Sequence, residues 1–525
     1  MKKVYTLDTT LRDGMQSQKI AFTVEDKMKI AKYLDRLGVD YIEAGNPFSN
    51  KTDREFFERR KKNPLKNSKL VAFGSTRHAN TNAAEDANLQ ALIDSGAKTV
   101  SIFGKAWLLH VKQVLSTTAE ENLAMIFDSI NYLVQNGIEV IFDAEHFFDG
   151  YRDNKQYAID VLKTAQKAGA SCVCLCDTNG GGFPLEFYTI VKEVSAQLEV
   201  PTGIHAHNDS GMAVAVSVIS VQAGATHVQG TLNGIGERCG NANLSTIIAN
   251  LQLKDGYTLI PKENLSLLTE ISRSVADISN ISVSGMPYVS KGAFSHKAGM
   301  HIDAVLKNPE SFEHINPELV GNERNILLSE MAGKSAVLPF ISKIVPGIDK
   351  TSEQVKKVLS RLKELEADGY QFEAAHASLD LVIRKALGIY KPFFSVTKFK
   401  VMLEEGMHKE EGSASAIVKV VVGDREEITA ADSDSGPVHA IDIALRKALD
   451  VFFPSLDDMR LIDYKVRVLD SESATRATTR VLIETSDGED SWITVGVSSD
   501  VIEASRQALI DSIEYKLLKD TNKNG

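Results

Sequence analysis

The feature that most constrains the fold is a pattern repeated through residues 1–255. A short apolar run ends in polar residues, and a helical pattern follows before the next run. Eight strand–helix units of roughly 30 residues favour a (β/α)8 (TIM) barrel over a doubly wound sheet. The runs are Val4–Asp8, Tyr41–Ala44, Leu70–Phe73, Val100–Phe103, Val140–Phe142, Cys172–Cys176, Gly203–Ala206 and Val228–Leu232. Candidate left-handed helix C-caps precede five of the runs, at Gly38, Gly96, Gly137, Gly169 and Gly224.

Two further regions follow the predicted barrel. Residues 256–392 have mainly helical patterns, most clearly in Leu265–Ile278 and Ser352–Ala367. Residues 393–525 contain a βββα pattern twice, which indicates a duplicated α+β domain. We therefore predict a TIM-barrel catalytic domain at 1–255, a helical linker or lid subdomain at 256–392, and a regulatory domain for effector binding or dimerisation at 393–525.

Composition excludes several classes of protein. The net charge of −11 argues against a nucleic-acid partner. No apolar run approaches the ~20 residues of a membrane span, and the first residues lead into a strand rather than a signal peptide. Four cysteines imply no disulfide framework, and we expect a cytoplasmic protein. Cys172, Cys174 and Cys176 share one face of a strand, where we expect them to fill the barrel.

The pair His205-Ala-His207 predicts a metal site. Side chains at i and i+2 of a strand point to the same side, so the two imidazoles converge. Asp13 lies beyond the first predicted strand, and active sites of such barrels lie at the carboxyl ends of the strands. Asn241, after the eighth strand, adds a possible carbonyl ligand. The alternative is that the histidines are structural.

This ligand set is of the mixed nitrogen and oxygen type. It lacks thiolates, and it suits Mn²⁺, Mg²⁺, Zn²⁺ or Fe²⁺ with open positions that a 2-oxo acid can fill. Arg12, beside Asp13, is placed to stabilise an oxyanion, or else forms a plain ion pair with a rim carboxylate. Glu145, at the end of the fifth strand, is either a general base or a carboxylate that orients a metal-bound histidine.

Three motifs together carry a resemblance to a known family. They are Asp8-Thr-Thr-Leu-Arg-Asp-Gly-Met-Gln16, His205-Ala-His207 and Gly234-Ile-Gly-Glu-Arg-Cys-Gly-Asn241. The chain resembles the 2-isopropylmalate and homocitrate synthases, which are barrel metalloenzymes that condense acetyl-CoA with a 2-oxo acid. The resemblance covers the whole chain.

The resemblance implies roles for single residues. The metal ligands match Asp13, His205, His207 and Asn241. Arg12 matches the residue that holds the oxo acid and the enolate oxygen, and Thr178 the threonine near the oxo-acid carboxylate. Glu145 matches the catalytic acid of the fifth strand. His301 matches the catalytic histidine of a linker subdomain that reaches the active site of the partner subunit, which implies a homodimer.

The expected substrate follows from three further stretches: Ile102–His110, Asp143–Tyr151 and Phe312–Asn322. They look most like the family members that use pyruvate, which implies formation of (R)-citramalate and CoA, isoleucine biosynthesis and isoleucine as effector. The alternatives are a 2-isopropylmalate synthase acting on 2-oxoisovalerate for leucine biosynthesis and, less favoured, a metal-dependent aldolase or lyase. Three positions depart from the family: Asp143, where relatives often carry a side chain that sizes the pocket, Phe312, where tyrosine is common, and Cys239, which replaces a small residue.

Overall fold

The computed structural model describes residues 2–18, 20–297, 299–327, 333–405, 412–469 and 477–523. The chain forms two compact units. The first comprises Met1–Phe294 and Ile315–Asn325, and the second comprises Ser295–His314 and Ile326–Gly525. Residues of the predicted linker 256–392 occur in both units, and the predicted domain boundaries stay predictions.

The first unit contains a closed barrel of eight parallel strands in sequential order. This confirms the predicted fold class, and each of the eight apolar runs contributes one strand. The runs form parallel strands because most of their side chains are buried on both faces. The strands are β1 (Tyr5–Asp8), β2 (Tyr41–Glu43), β3 (Lys69–Ser75), β4 (Thr99–Lys105), β5 (Glu139–Glu145), β6 (Cys172–Asp177), β7 (Thr202–Ala206) and β8 (His227–Gly230).

Helices alternate with these strands and bury one face against them. Helix α1 begins with a capping box at Thr23 and ends at Gly38, whose φ of 85° suits glycine. All five predicted glycine C-caps have positive φ. The helices are α1 (Val24–Leu37), α2 (Lys51–Lys62), α3 (Ala87–Asp94), α4 (Leu108–Gln113), α5 (Ala119–Gln135), α6 (Phe147–Asp153), α7 (Lys155–Ala168), α8 (Pro184–Ser195), α9 (Ala213–Ala223), α10 (Leu244–Leu253) and α11 (Leu268–Ser279).

His227, the first residue of β8, is buried at the amino-terminal end of the barrel strands. Its Nε2 has no hydrogen-bond partner within the described part of the chain. Burial lowers the pKa of His227 to about 4, against about 6.5 in an unfolded chain. The folded barrel therefore resists protonation of this imidazole. The contribution of the neutral His227 ring to the free energy of unfolding is therefore complete above pH 6.5 and is lost as the pH falls towards 4.

The substitution His227→Gln should therefore make the barrel less sensitive to acid. Between pH 7 and pH 5, linkage assigns to His227 a loss of about 2 kcal/mol in the free energy of unfolding. Urea midpoints at the two pH values measure it, with the exposed His376→Gln as control. If the midpoints at pH 7 and pH 5 differed as much in His227→Gln as in the wild type, the loss of stability could not be assigned to His227.

Within its described residues, the second unit contains six helices and two three-stranded antiparallel sheets. Its helices are α12 (Gly299–Lys307), α13 (Lys334–Ile344), α14 (Glu353–Ala367), α15 (His376–Leu387), α16 (Pro437–Asp450) and α17 (Val501–Lys523). Two-residue strands β9 (Ser295–His296) and β10 (Asn325–Ile326) precede the sheets. The sheet strands are β11 (Ser395–Glu405), β12 (Gly412–Val422), β13 (Arg425–Ser433), β14 (Arg460–Val468), β15 (Thr479–Ser486) and β16 (Ser491–Ser498).

The predicted duplication of the βββα pattern is confirmed. Strands β11–β13 precede α16, and β14–β16 precede α17. Each repeat contains an equivalent hydrogen bond from its third strand to its helix. In the first repeat the Thr429 hydroxyl donates to the carbonyl of Ala444, and in the second the Thr494 hydroxyl donates to the carbonyl of Ala508. Over the residues described, no helix combines the length and the apolar character that crossing a membrane requires.

Candidate active site

A cavity of about 290 Å³ lies at the carboxyl ends of the barrel strands. This is the end at which barrel enzymes carry their active sites, because the βα loops there deliver side chains from several strands. The cavity is lined by Arg12, Asp13, Gln16, Phe73, Phe103, Asp143, Glu145, Cys176, Thr178, His205, His207, Glu237 and Arg238.

Asp13 and the two histidines lie together, as the strand spacing predicts. The Oδ2 atom of Asp13 is 3.4 Å from Nε2 of His205 and 3.9 Å from Nε2 of His207. All three side chains are buried, and one ligand atom from each lies within 4.8 Å of the others. The turn after β1 supplies Asp13, and β7 and the residue after its end supply the histidines.

Two buried oxygens support a bound cation, one on Asp13 and one on Asn241, whose backbone pairs with that of His207 in an isolated β-bridge. Neither Oδ1 of Asp13 nor Oδ1 of Asn241 has a hydrogen-bond partner among the residues that the structure describes. The other amide atom of Asn241, Nδ2, donates to the carbonyl of Ile235, which settles the orientation of the amide. A buried acceptor without a donor costs free energy, and a divalent cation satisfies such oxygens. The residues therefore fit the metal that their chemistry suggests.

The protonation states of Asp13 and His207 suit metal binding, whereas the pKa of His205 is raised because Asp13 outweighs the effect of burial. Burial opposes ionisation of Asp13, but the Arg12 guanidinium and the two imidazoles outweigh it and hold the pKa of this carboxyl below its usual range. Burial, reinforced by neighbouring His205, lowers the pKa of His207 to about 4. Near neutral pH the site thus offers an anionic oxygen and a neutral imidazole, the forms in which these groups bind metals.

Arg12 is held from two sides beside the cavity. Its Nε donates to Oε2 of Glu43 at 2.6 Å, and its Nη1 donates to Oδ2 of Asp13 at 2.9 Å. The guanidinium lies 3.9 Å from the ring centre of Phe73. Arg12 therefore forms an ion pair with Glu43, which was the alternative role predicted for it, and its side chain also lines the cavity. The two interpretations are therefore compatible.

Sequence reasoning missed Glu43, which is fully buried at the end of β2. Burial, together with nearby Asp143, raises its pKa to about 6 despite the opposing effect of Arg12. The available signal was an acidic residue inside the apolar run Tyr41–Ala44. An acid in such a run needs a cationic partner, and Arg12 is that partner.

Glu145 lies at the end of β5 and lines the cavity. Its carboxylate forms an ion pair with Lys105, its register neighbour at the end of β4 and a second residue that sequence reasoning missed. The ring nitrogens that face away from Asp13 are engaged elsewhere: Nδ1 of His205 with Gln229 and Nδ1 of His207 with Arg238. Glu145 thus orients neither imidazole, which favours the general-base interpretation.

Thr178 follows β6 and lines the cavity. Its hydroxyl accepts a hydrogen bond from the backbone N–H of His146 at 2.9 Å, and its carbonyl accepts one from Arg238. His146 has a φ of 55°, a left-handed conformation that is strained for a residue other than glycine. The strained turn comes directly after Glu145, so Thr178 supports the segment that carries this carboxylate.

His301 lies in α12 of the second unit, where its ring stacks on Phe312 with 4.1 Å between ring centres. Its predicted role at the active site of a partner subunit stays a prediction. The three cysteines of β6 are buried. Burial raises the pKa of the Cys172 and Cys174 thiols, which keeps them protonated, and this favours the predicted packing role over metal binding.

Comparison with known proteins covers nearly the whole chain. The profile of the HMGL-like family matches residues 3–275, that of the homocitrate synthase post-HMGL domain-like family matches 288–370, and that of the LeuA allosteric (dimerisation) domain matches 373–517. The (R)-citramalate synthase of Aquifex aeolicus is 51% identical over 99% of this chain and 98% of its own. That of Geobacter sulfurreducens is 47% identical over 100% and 99%. A probable 2-isopropylmalate synthase of Methanopyrus kandleri is 32% identical over 97% and 98%.

Proposed function

The chain belongs to the HMGL-like family and, within it, to the (R)-citramalate synthases, and from this premise we propose that it condenses acetyl-CoA with pyruvate to give (R)-citramalate and CoA. The observation that carries the proposal is the buried group of Asp13, His205 and His207 in the barrel cavity, with unpartnered oxygens on Asp13 and Asn241. Identity to the citramalate synthases of Aquifex aeolicus and Geobacter sulfurreducens, 51% and 47%, also exceeds the 32% identity to the probable 2-isopropylmalate synthase.

Asp13, His205, His207 and Asn241 would hold a divalent cation, such as Mn²⁺, Zn²⁺ or Mg²⁺. When bound, the ion supplies Lewis acidity that polarises the ketone of the oxo acid. Arg12 stabilises the charge that develops on the ketone oxygen, and its bonds to Glu43 and Asp13 fix it before the reaction begins. Thr178, which lines the same cavity, binds the carboxylate of the oxo acid.

Glu145 removes a proton from the methyl group of acetyl-CoA, and the ion pair with Lys105 holds its carboxylate in place. His301, from the partner subunit, assists this proton transfer. The methyl carbon then forms a bond to the ketone carbon of pyruvate, whose oxygen takes up a proton. Water cleaves the thioester, and CoA leaves as the free thiol.

The cavity suits a small oxo acid. Phe73 and Phe103 stack with 5.5 Å between ring centres and line it together with Asp143. We propose that these three side chains limit the space for a branched oxo acid. We therefore infer that pyruvate is preferred over 2-oxoisovalerate.

Acetyl-CoA-dependent thiol release with Mn²⁺ tests the proposal, with pyruvate and 2-oxoisovalerate as acceptors. Release with pyruvate, at least about 10-fold faster than with 2-oxoisovalerate, is expected, since one or two methyl groups in a filled pocket change binding by this order. A reaction without oxo acid measures background hydrolysis. Preference for 2-oxoisovalerate would indicate a 2-isopropylmalate synthase. No release with either acid would favour a lyase.

We further propose that the chain forms a homodimer in the cytoplasm and is inhibited by isoleucine, the end product of the pathway that citramalate would enter. The LeuA allosteric (dimerisation) match covers the duplicated domain, and its strands expose the apolar side chains of Ile428, Ile462, Val466 and Val468. All four cysteines are free, as in a reducing compartment. Light scattering tests the homodimer. Thiol release with added isoleucine, compared with added leucine, tests the inhibition.

A further inference from the structure

A chain of hydrogen bonds runs through the barrel interior behind the metal site. Nδ1 of His205 is 2.9 Å from Oε1 of Gln229. Nε2 of Gln229 donates to Oδ1 of Asp143 at 2.8 Å, and the Ser101 hydroxyl donates to Oδ2 of the same carboxyl at 2.6 Å. All four side chains are buried. The residues come from β7, β8, β5 and β4, so the link between Gln229 and Asp143 joins strands that are not neighbours in the sheet.

In this series of hydrogen bonds, each donor and each acceptor can be assigned. An amide side chain has one acceptor end and one donor end. Because the carboxyl oxygen of Asp143 accepts from Nε2, the amide of Gln229 presents Oε1 to His205, and Nδ1 of His205 must donate. The proton of the neutral imidazole is therefore on Nδ1, and the lone pair of Nε2 faces Asp13. Ser101 occupies the remaining oxygen of Asp143 and fixes the carboxyl.

His207 provides a contrast within the same site. Its Nδ1 lies 3.2 Å from Nη2 of Arg238. A guanidinium has only donors, so this nitrogen accepts and the ring proton of neutral His207 is on Nε2. His205 therefore already has the tautomer that binds a metal through Nε2, whereas His207 must transfer its ring proton from Nε2 to Nδ1, and release Arg238, before it binds a metal through Nε2.

We propose that Gln229, itself held by Asp143 and Ser101, is a positioning residue that sets the tautomer and ring orientation of His205 for binding of a divalent cation. Partners of this kind raise metal affinity because they remove the cost of orienting the ligand. The inference rests on the proposed function, in that it needs the metal site of Asp13 and the two histidines. It adds that Asp143, which lines the cavity, also acts on the metal site through Gln229.

The first test is Mn²⁺ binding to the metal-free, full-length protein, with free Mn²⁺ followed by electron paramagnetic resonance. The substitution Gln229→Met keeps the length of the side chain and removes both hydrogen bonds. We expect Kd to rise about 10- to 100-fold. The control is Gln252→Met, where the lost bonds join Gln252 to the backbone of Leu259 and Ile260, outside this chain of bonds. Its Kd should equal that of the wild type.

A paired substitution separates positioning from packing. Gln229→Glu alone brings a second carboxylate against Asp143 and should weaken Mn²⁺ binding. Adding Asp143→Asn reverses the donor and the acceptor between positions 229 and 143 and restores the hydrogen bonds. The carboxylate at 229 then accepts from His205 and from the amide nitrogen at 143, and the amide oxygen at 143 accepts from Ser101. We expect Kd to return to within about threefold of the wild type. Loss of packing alone would not be rescued in this way.

The tautomer is read directly from ¹⁵N chemical shifts of labelled histidine, with His205→Gln used to assign the signal. At a pH where His205 is neutral, the metal-free wild type should show its ring proton on Nδ1, and Gln229→Met should show a mixture of tautomers. A wild type that does not bind Mn²⁺ would refute the metal site itself. Binding by the wild type with an equal Kd in Gln229→Met would overturn the positioning role alone. If Gln229→Met fails to fold, Gln229→Glu with and without Asp143→Asn decides the question.

Discussion

Replacing Glu145 with glutamine should lower kcat by about 10²- to 10⁴-fold, the range that a positioned acid–base group supplies. Glutamine has the same size, and its carbonyl oxygen can still accept from Lys105, the partner of Glu145 in the folded protein. What it loses is the ability to take the methyl proton of acetyl-CoA. Pyruvate binding should change little, because the residues proposed to hold pyruvate, Arg12 and Thr178, stay in place.

Steady-state thiol release gives kcat, and calorimetry with the Mn²⁺-loaded protein gives pyruvate affinity. Glu55→Gln is a matched control, since Glu55 also forms an ion pair, with Arg59, but on the exposed surface of α2. Its kcat should be unchanged. A near-normal kcat in Glu145→Gln would remove Glu145 from the role of base, whereas lost pyruvate affinity would point to a disturbed pocket.

Replacing Asp13 with asparagine should abolish stoichiometric metal binding and, with it, turnover. The buried carboxylate supplies the negative charge that faces both imidazoles. Loss of a residue that only orients a metal ligand lowers metal affinity about 10- to 100-fold. Loss of a direct ligand should lower it further, and we expect a decrease in metal affinity of about 10³-fold. Arg12 keeps its partner Glu43, which limits the structural damage.

Metal content after dialysis against Mn²⁺ measures the effect, with thiol release as a second measurement. Asp35→Asn is the control, because Asp35 is also a buried carboxylate but accepts hydrogen bonds from the backbone of Lys66, Asn67 and Ser68. It should lower stability and leave one metal per chain. If Asp13→Asn retained full metal content, the proposed ligand set would be wrong.

Part of this site could be predicted because local rules were sufficient. The convergence of His205 and His207 follows from the two-residue period of a strand, and the position of Asp13 follows from the rule that loops after barrel strands form the active site. Both rules need only the sequence and the assignment of strands. The structure brings these three residues together as the rules require.

Glu43, Lys105 and Gln229 were missed because each is a single polar residue within or beside an apolar run. Their partners lie 31, 40 and 24 residues away along the chain, in Arg12, Glu145 and His205 respectively. No local periodicity relates residues at such separations. A buried polar group requires a partner, but the sequence does not say which one it will meet.

The sequence by itself therefore determined the number and order of the strand–helix units, the duplicated βββα pattern and the end of the barrel that carries the chemistry. These properties depend on periodicity and on glycine at helix ends, which act over a few residues. Only the tertiary structure decided which polar side chains pair and which nitrogen of His205 faces Asp13. Closure of the barrel brings Gln229 of β8 against Asp143 of β5 across the interior, and the direction of hydrogen bonds there is set by buried groups that must satisfy one another.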